Sequence, residues 1–317
     1  MKIEIWSEII MIELEKIIYN IFGDIMNLYI IGNGFDKAHE LKTGFNDFKK
    51  YMQEESKDSV DRWEKIINFN LNDDWSNLEE SFEYVDYDYL VEVCSCYLRS
   101  YDDENWSDSF HHDYQYELSR YLDLILKSDF YLREWLKNIK MPNNKKYHLN
   151  NESIYLTFNY TNLLEETYQI SKKNICHIHG DLSTIKGLVL GHANPNIIKD
   201  IEKCFPDDDI RINDGKEIMN DSKNKSYKGS KTLINENSDF FLNCKNIEKI
   251  YIIGHSCDSI KKVDNEYYSK ISSLVDKENI IVNIVYYDEK DIIKYNDILT
   301  DMGFKNINFL TYNDIAI

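Results

Sequence analysis

The chain has 317 residues, of which 43% are hydrophobic and 29% charged, the balance of an ordinary globular protein. This length accommodates one large α/β domain with a sizeable insertion, or two small domains. The formal net charge of −19 argues against a nucleic-acid partner and against an anionic membrane surface, because both are held by clustered Lys and Arg. No two of the six cysteines form a C-x-x-C pair, so their spacing offers no local zinc module.

The first 25 residues are rich in isoleucine but are interrupted by acidic side chains, among them Glu4, Glu8 and Glu13. Neither a secretory signal nor a membrane span tolerates charges at this density. We therefore expect an amphipathic helical appendage over residues 1–26. The same observation predicts a cytoplasmic protein with reduced thiols.

Short apolar runs along the rest of the chain predict buried strands, at residues 28–31, 153–158, 175–178, 188–190, 250–253, 280–287 and 307–310. Their alternation with helical patterns predicts a doubly wound parallel α/β sheet, formed by residues 27–44 and 151–317. Residues 45–150 carry apolar side chains at three- and four-residue spacings and predict an inserted helical subdomain. Residues 206–238 are polar, with three consecutive aspartates, and predict a mobile surface segment.

The first predicted strand ends in Gly32, Asn33 and Gly34, followed by Asp36 and a helix. Glycines here let the backbone approach a phosphate, and the helix start supplies unpaired N–H groups. The turn lacks the third glycine of the G-x-G-x-x-G fingerprint, because Lys37 holds that position. An ordinary tight turn explains the glycines equally well, and Asp36 could contact ribose hydroxyls or simply cap the helix.

A second polar group, Thr157 to Thr161, follows a buried strand. Ligands of open α/β sheets bind outside the carboxyl ends of the strands, so Asn159 stands where a site is expected, with Thr157 and Tyr160 beside it. The alternative for Asn159 is a turn asparagine that bonds its own backbone.

The sequence from Cys176 to Asp181 also lies at a strand end and contains His177 and His179. Alternation along a strand would place both imidazoles on one face, which allows a metal site completed by His192 or Asp181. Such histidine pairs are more often packed or hydrogen-bonded, so no metal is expected.

The last polar group, Gly254 to Asp258, resembles the G-x-S-x-G elbow of α/β-hydrolases around Ser256. Asp258 replaces the final glycine, and a hydrolase triad needs a histidine after the serine. The last histidine of the chain is His255, so an esterase of the usual kind is excluded.

Four segments together resemble the AbiH family of bacteriophage abortive-infection proteins over about residues 27–290. They are IIGNGFDKAHELKTGFNDF (30–48), TFNYTNLLE (157–165), HIHGD (177–181) and YIIGHSCDSIKKVDNEYY (251–268). AbiH proteins in turn resemble the sirtuin-like NAD-binding fold. That resemblance implies a Rossmann-like sheet with a glycine turn at Gly32 and Gly34, a T-x-N asparagine at Asn159, an H-G histidine at His179, and a late G-x-S at Gly254 and Ser256. The last segment has a longer spacer between Ser256 and Asp264 than the family pattern, which leaves open whether Asp258 or Asp264 is the matching acid.

The resemblance implies an NAD glycohydrolase of phage defence, with NAD as substrate and no true cofactor. Asn159 and His179 would be catalytic. The nucleotide would contact Gly32, Asn33, Gly34, Asp36, Thr157, Tyr160, Gly254, Ser256 and Asp264. A phage-derived activator and a homo-oligomer remain open as partners. The alternatives are a sensor that binds NAD or ADP-ribose without cleaving it, and a toxin such as a nuclease, which the acidic composition disfavours.

Overall fold

The computed structural model describes residues 26–68, 74–196 and 209–317. The predicted N-terminal appendage lies outside the described residues, except for Met26. The described strands form a six-stranded sheet in the order β3-β2-β1-β4-β5-β6, and every pairing is parallel. The strands are β1 (Met26–Ile31), β2 (Ile154–Thr157), β3 (Ile175–His177), β4 (Ile247–Ile253), β5 (Ile281–Tyr286) and β6 (Asn306–Thr311).

The prediction of a parallel α/β sheet is confirmed, and six of the seven predicted strands are present. The exception is residues 188–190, which form no strand. Leu188 and Leu190 are apolar because they pack against the helices of the insertion, not because they pair in the sheet.

The described chain between β1 and β2 is mainly helical. It contains α1 (Asn33–Ala38), α2 (Phe45–Glu55), α3 (Lys57–Ile66), α4 (Leu78–Ser81), α5 (Tyr87–Ser95), α6 (Asp113–Tyr121), α7 (Asp123–Leu126) and α8 (Ser128–Leu136). Helices α2 to α8 pack around a core that contains Trp63, Trp75 and Phe48, which are fully buried. Their three- and four-residue apolar spacing is what places these side chains on inward faces.

The second half of the chain contains α9 (Leu163–Glu166), α10 (Ile210–Ser226), α11 (Ser230–Glu236), α12 (Ser238–Asn243), α13 (Cys257–Lys261), α14 (Asn265–Ser272) and α15 (Asp291–Asp301). The prediction of a mobile segment at 206–238 is wrong for its described part. Helix α10 packs against α6 and α7, and its Met219 is fully buried in the core of the insertion. The polar composition misled the prediction because α10 contributes few apolar side chains to the core, chiefly Ile218 and Met219.

Both faces of the sheet are covered, which is why its central strands are apolar on both sides. Successive strand residues point to opposite faces. Leu28, Ile30 and Ile252 belong to one buried cluster, whereas Tyr29, Ile31 and Ile253 belong to another. No helix in the described ranges is long and apolar enough to cross a bilayer.

The strand order reverses at β1, because β2 lies on one side of it and β4 on the other. In open α/β sheets the carboxyl ends of strands at such a reversal are where ligands bind. The residues that follow β1, β2, β3 and β4 all reach this edge. They include the predicted catalytic and nucleotide-binding residues, except that Thr157 is the last residue of β2 itself.

Candidate functional site

The turn after β1 is packed directly against the turn after β4. The amide of Gly32 donates to the Ile253 carbonyl at 2.9 Å, and the amide of Gly34 donates to the Gly254 carbonyl at 2.7 Å. A Cβ added to Gly34 would lie 2.7 Å from Gly254 Cα. Gly254 itself has a φ of 68° and touches the same backbone. The close approach of the two turns therefore explains the glycines independently of any ligand.

Asp36 is the centre of a buried polar cluster that joins the ends of β1 and β2. Asn159 Nδ2 donates to Asp36 Oδ1 at 2.7 Å and to the Gly32 carbonyl at 3.1 Å. Thr161 Oγ1 donates to Asp36 Oδ2 at 2.7 Å. Burial raises the pKa of Asp36 to about 6, although the hydrogen bonds from Thr161 and Asn159 oppose the rise.

The side-chain amide of Asn159 has a nitrogen with two hydrogen-bond partners and an oxygen with none among the described residues. Both groups that its nitrogen contacts, the Asp36 carboxylate and the Gly32 carbonyl, are acceptors, so the nitrogen must face them. The oxygen Oδ1 is buried and has no hydrogen-bond partner among the described residues. Buried polar atoms are nearly always paired, so an unpaired one calls for an explanation such as a ligand or a water. Asn159 is therefore more than the turn asparagine of the alternative interpretation.

His179 belongs to a second buried cluster, on the β4 side of the edge. Its Nε2 lies 3.4 Å from the Tyr267 hydroxyl and 3.8 Å from Asp264 Oδ1. Burial lowers the pKa of His179 well below its usual value, and the Lys228 ammonium lowers it further. The imidazole is therefore neutral over the physiological pH range.

Asp264 connects His179 to Lys228 and His255. Lys228 Nζ donates to Asp264 Oδ1 at 2.9 Å, and His255 Nε2 lies 3.0 Å from Oδ2. Burial opposes ionisation of Asp264, but Lys228 and His255 outweigh it and hold the pKa of Asp264 below its usual value. Of the two acids left open by the sequence, Asp264 lies beside His179, whereas Asp258 is exposed on α13.

Lys228 also contacts the helical insertion. Its Nζ lies 3.1 Å from Oε1 of Glu79 on α4, and its side chain is fully buried. Burial raises the pKa of Glu79 to about 7, against the opposing attraction of Lys228 and with the help of Asp264. No sequence pattern marked Glu79, and Lys228 stood in a polar stretch predicted to be mobile. Only their burial in the fold identifies them.

The two clusters meet at Phe158 without a hydrogen bond between Asn159 and His179. The Phe158 ring stacks on His255 with centroids 4.2 Å apart and meets His179 edge-on at 5.4 Å. Tyr160, on the other side of Asn159, has its ring centroid 6.5 Å from that of His179. His179 thus contacts the residues that flank Asn159, while the Asn159 amide nitrogen is turned toward β1.

The remaining predicted residues have local partners. Asn33 exchanges hydrogen bonds with Thr43. Thr157 Oγ1 accepts from the backbone N–H of Asn159 at 3.1 Å. The Tyr160 hydroxyl donates to the Val189 carbonyl at 2.7 Å. Ser256 is exposed and caps α13 by accepting from the Ser259 amide. Of these four residues, Ser256 is the most accessible to solvent.

The shared face that strand alternation would give His177 and His179 is not formed. His177 ends β3 and turns toward α9, where its Nε2 lies 2.9 Å from Glu165 Oε1. Glu165 raises the pKa of His177 although burial acts in the opposite direction. His192 lies elsewhere, hydrogen-bonded through its backbone to Ser226 and Lys228. Strand β3 ends at His177, so the alternation that would have aligned the two imidazoles does not extend to residue 179.

Fold and site together define an α/β protein with an all-parallel sheet, a helical insertion, and a buried Asn–Asp and His–Asp–Lys arrangement at the edge where the strand order reverses. The model of one family, described as bacteriophage abortive infection AbiH, matches residues 28–286. The chain belongs to the AbiH family. No curated protein and no solved structure matches it.

Proposed function

We propose that this protein acts in abortive infection as an NAD glycohydrolase, which hydrolyses the bond between nicotinamide and ribose. The defence role follows from membership of the AbiH family. The hydrolase activity is supported by the polar groups at the reversal edge of the sheet, the place where open α/β sheets bind their ligands.

The single observation that carries the proposal is the unpaired, buried Oδ1 of Asn159. Asp36 and the Gly32 carbonyl fix the amide nitrogen, so this oxygen is held in one direction before any substrate arrives. A preorganised oxygen dipole stabilises positive charge that develops in a transition state. Loss of nicotinamide leaves an oxocarbenium-like ribose, which is a charge of this kind.

His179 supplies the second component, a base. In the proposed step the C1′–N bond breaks and its electron pair leaves with nicotinamide, which departs neutral. Water adds to C1′, and His179 takes the proton that the water loses. Asp264 and Tyr267, the polar neighbours of the imidazole, orient it. General-base catalysis of this kind contributes about 10²–10⁴-fold to a rate.

The insertion supports the proposal through Glu79. This residue brings α4 into contact with Lys228, so the insertion lies over the His179 cluster. A cover that excludes bulk water favours hydrolysis by one positioned water molecule. Because His179 and Asp264 are only 3% and 2% exposed, the enzyme has to open for NAD to enter, and an activating signal in infected cells would act on this step.

The test is incubation of the purified full chain with NAD, with and without lysate of phage-infected cells, while nicotinamide and ADP-ribose are measured by chromatography. We expect Asn159→Ala and His179→Ala each to lower the rate by about 10²-fold or more. Asn151→Ala and His148→Ala, at exposed positions outside the site, are the matched controls. Absence of both products at high enzyme concentration in the presence of lysate would reject the hydrolase.

Binding of NAD without cleavage would support the sensor instead. The same open Asn159 oxygen could receive a ribose hydroxyl in a protein that only holds the nucleotide. Calorimetric titration of the parent with NAD and with ADP-ribose distinguishes the two functions, because a sensor binds NAD and leaves it intact.

A further inference from the structure

Glu165, His177 and Asp181 form a compact group of donor atoms that the proposed hydrolysis does not use. One ligand atom from each residue lies within 4.8 Å of the other two. Glu165 comes from α9, His177 from the end of β3, and Asp181 from the loop that follows. Three donors from three separate places in the fold thus converge on one point.

The hydrogen bonds of His177 define its protonation. Its Nδ1 lies 3.1 Å from the Asn159 carbonyl oxygen, which can only accept, so Nδ1 carries a hydrogen. The opposite nitrogen, Nε2, faces Glu165 Oε1 at 2.9 Å. A neutral imidazole would place two lone pairs against each other there. A cation must therefore stand between them, and it is either a proton or a metal ion.

Each of the three residues has a feature that is typical of a metal ligand. A histidine that binds a metal usually donates its other ring N–H to a backbone carbonyl, as His177 does to Asn159. Glu165 Oε2 is buried and, within the described ranges, has no hydrogen-bond partner, which leaves it open for coordination. Asp181 is oriented by Ser183 and Thr184, whose hydroxyls both donate to its Oδ1 at 2.8 Å.

We infer that Glu165, His177 and Asp181 bind a divalent transition-metal ion, with Zn²⁺ as the best match. One imidazole nitrogen and two carboxylate oxygens are donors that Zn²⁺ accepts at about 2.0–2.2 Å, with a water completing the tetrahedron. In a tetrahedron with such distances two ligands lie about 3.3–3.6 Å apart. The donor atoms lie within 4.8 Å of one another, so side-chain adjustments of up to about 1.5 Å close the site. Mg²⁺ and Ca²⁺ prefer all-oxygen sites and are disfavoured by the imidazole.

The ion would organise the proposed catalytic edge without touching the substrate. Its ligand His177 holds the carbonyl of Asn159, and the loop segment that bears His179 is fixed at both ends by His177 and Asp181. The three ligands are thus positioning residues. The site differs from the pairing of His177 with His179 that the sequence allowed, because Glu165, distant in the chain, supplies a ligand.

Metal binding is tested on the purified full chain, independently of NAD. Protein treated with a chelator is dialysed against Zn²⁺, desalted and analysed by mass spectrometry of metals. We expect about one Zn²⁺ per chain and a melting temperature that rises with Zn²⁺. Glu165→Gln and His177→Ala should weaken binding by at least about 100-fold and abolish the rise. Thr184→Val, which removes a hydroxyl that orients Asp181, should weaken binding about 10–100-fold.

His148→Ala, an exposed histidine away from the group, is the matched control and should bind Zn²⁺ like the parent. Glu165→Gln keeps the side-chain shape, so it remains informative if His177→Ala fails to fold. Retention of Mn²⁺ in place of Zn²⁺, lost in the same variants, would support the site. A parent that retains no metal, or a Glu165→Gln variant that binds Zn²⁺ as the parent does, would overturn the inference and assign the group to a His177–Glu165 ion pair.

Discussion

Lys228 Nζ lies 2.9 Å from Asp264 Oδ1, and both side chains are almost completely shielded from solvent. The two residues lie on different parts of the chain, one after α10 and the other before α14. Glu79 of the insertion contacts the same ammonium at 3.1 Å. The pair therefore joins the segment before α14, the segment after α10 and the insertion at one buried point beside His179.

Removal of the Lys228 ammonium should lower the free energy of unfolding. Lys228→Met leaves Asp264 buried with less compensation, and breaking a buried ion pair from one side costs about 3–5 kcal/mol. Urea denaturation measures the free energy of unfolding. Lys231→Met is the matched control, because Lys231 is exposed and its nearest acid, Glu266, is 3.8 Å away. The control should change the free energy by less than about 0.5 kcal/mol. Equal effects of the two variants would show that the buried pair is not formed.

Glu79 should make stability depend on pH. Its folded-state pKa of about 7 exceeds its ordinary value of 4.5, so the folded protein binds the proton more tightly. The contribution of Glu79 to stability is therefore full below pH 4.5 and is lost as the pH rises through 7, by about 3 kcal/mol in all. The titratable groups that face it include Lys228, Asp264, Tyr160 and Tyr267.

Glu79→Gln removes this titration. Denaturation of parent and variant at pH 5 and pH 7.5 should show the variant gaining relative stability at the higher pH. Glu80→Gln, at the neighbouring position, is the control for loss of a carboxylate whose partner, Lys262, is exposed. Parallel stability curves for the parent and Glu79→Gln would contradict the burial of a protonated Glu79.

Asp36 should stabilise the protein by accepting two buried hydrogen bonds. In Asp36→Ala the Asn159 amide nitrogen and the Thr161 hydroxyl lose this acceptor, which costs about 1–3 kcal/mol for each group left unpaired. The Asn159 amide is also free to rotate, so NAD consumption should fall with stability. Asp258→Ala, at an exposed position, should be nearly neutral in both assays. A fully stable Asp36→Ala protein would be the contrary result.

Gly34 should not tolerate a side chain. In Gly34→Ala the new Cβ would lie 2.7 Å from Gly254 Cα, and backbone on both sides cannot give way cheaply. We expect a loss of about 1–3 kcal/mol or more in the free energy of unfolding. Gly44→Ala is the matched control, because its Cβ would meet side-chain ends and no backbone, the Lys37 Cε at 3.0 Å and the Asp47 Oδ2 at 3.4 Å. A loss of stability confined to Gly44→Ala would refute the packing of the two turns.

Much of the sheet and part of the site could be predicted from the sequence. A buried parallel strand is apolar on both faces, so runs such as Leu28 to Ile31 are visible without coordinates. The position of Asn159 after β2 follows from the same pattern, because parallel strands bring their carboxyl ends to one edge. The glycine turn was equally visible. What it packs against was not.

The tertiary structure alone decided which polar side chains share an environment. Local patterns suggested that His177 belongs with His179, yet the end of β3 sends one imidazole to Glu165 and the other to Asp264 and Tyr267. Lys228 and Glu79 carried no signal, because a lysine in a polar stretch and a glutamate on a helix are ordinary surface residues until packing removes water from them. Local chain chemistry thus determined the strands and turns. Burial, which depends on contacts between distant segments, determined which polar side chains are shielded from water and how their pKa values shift.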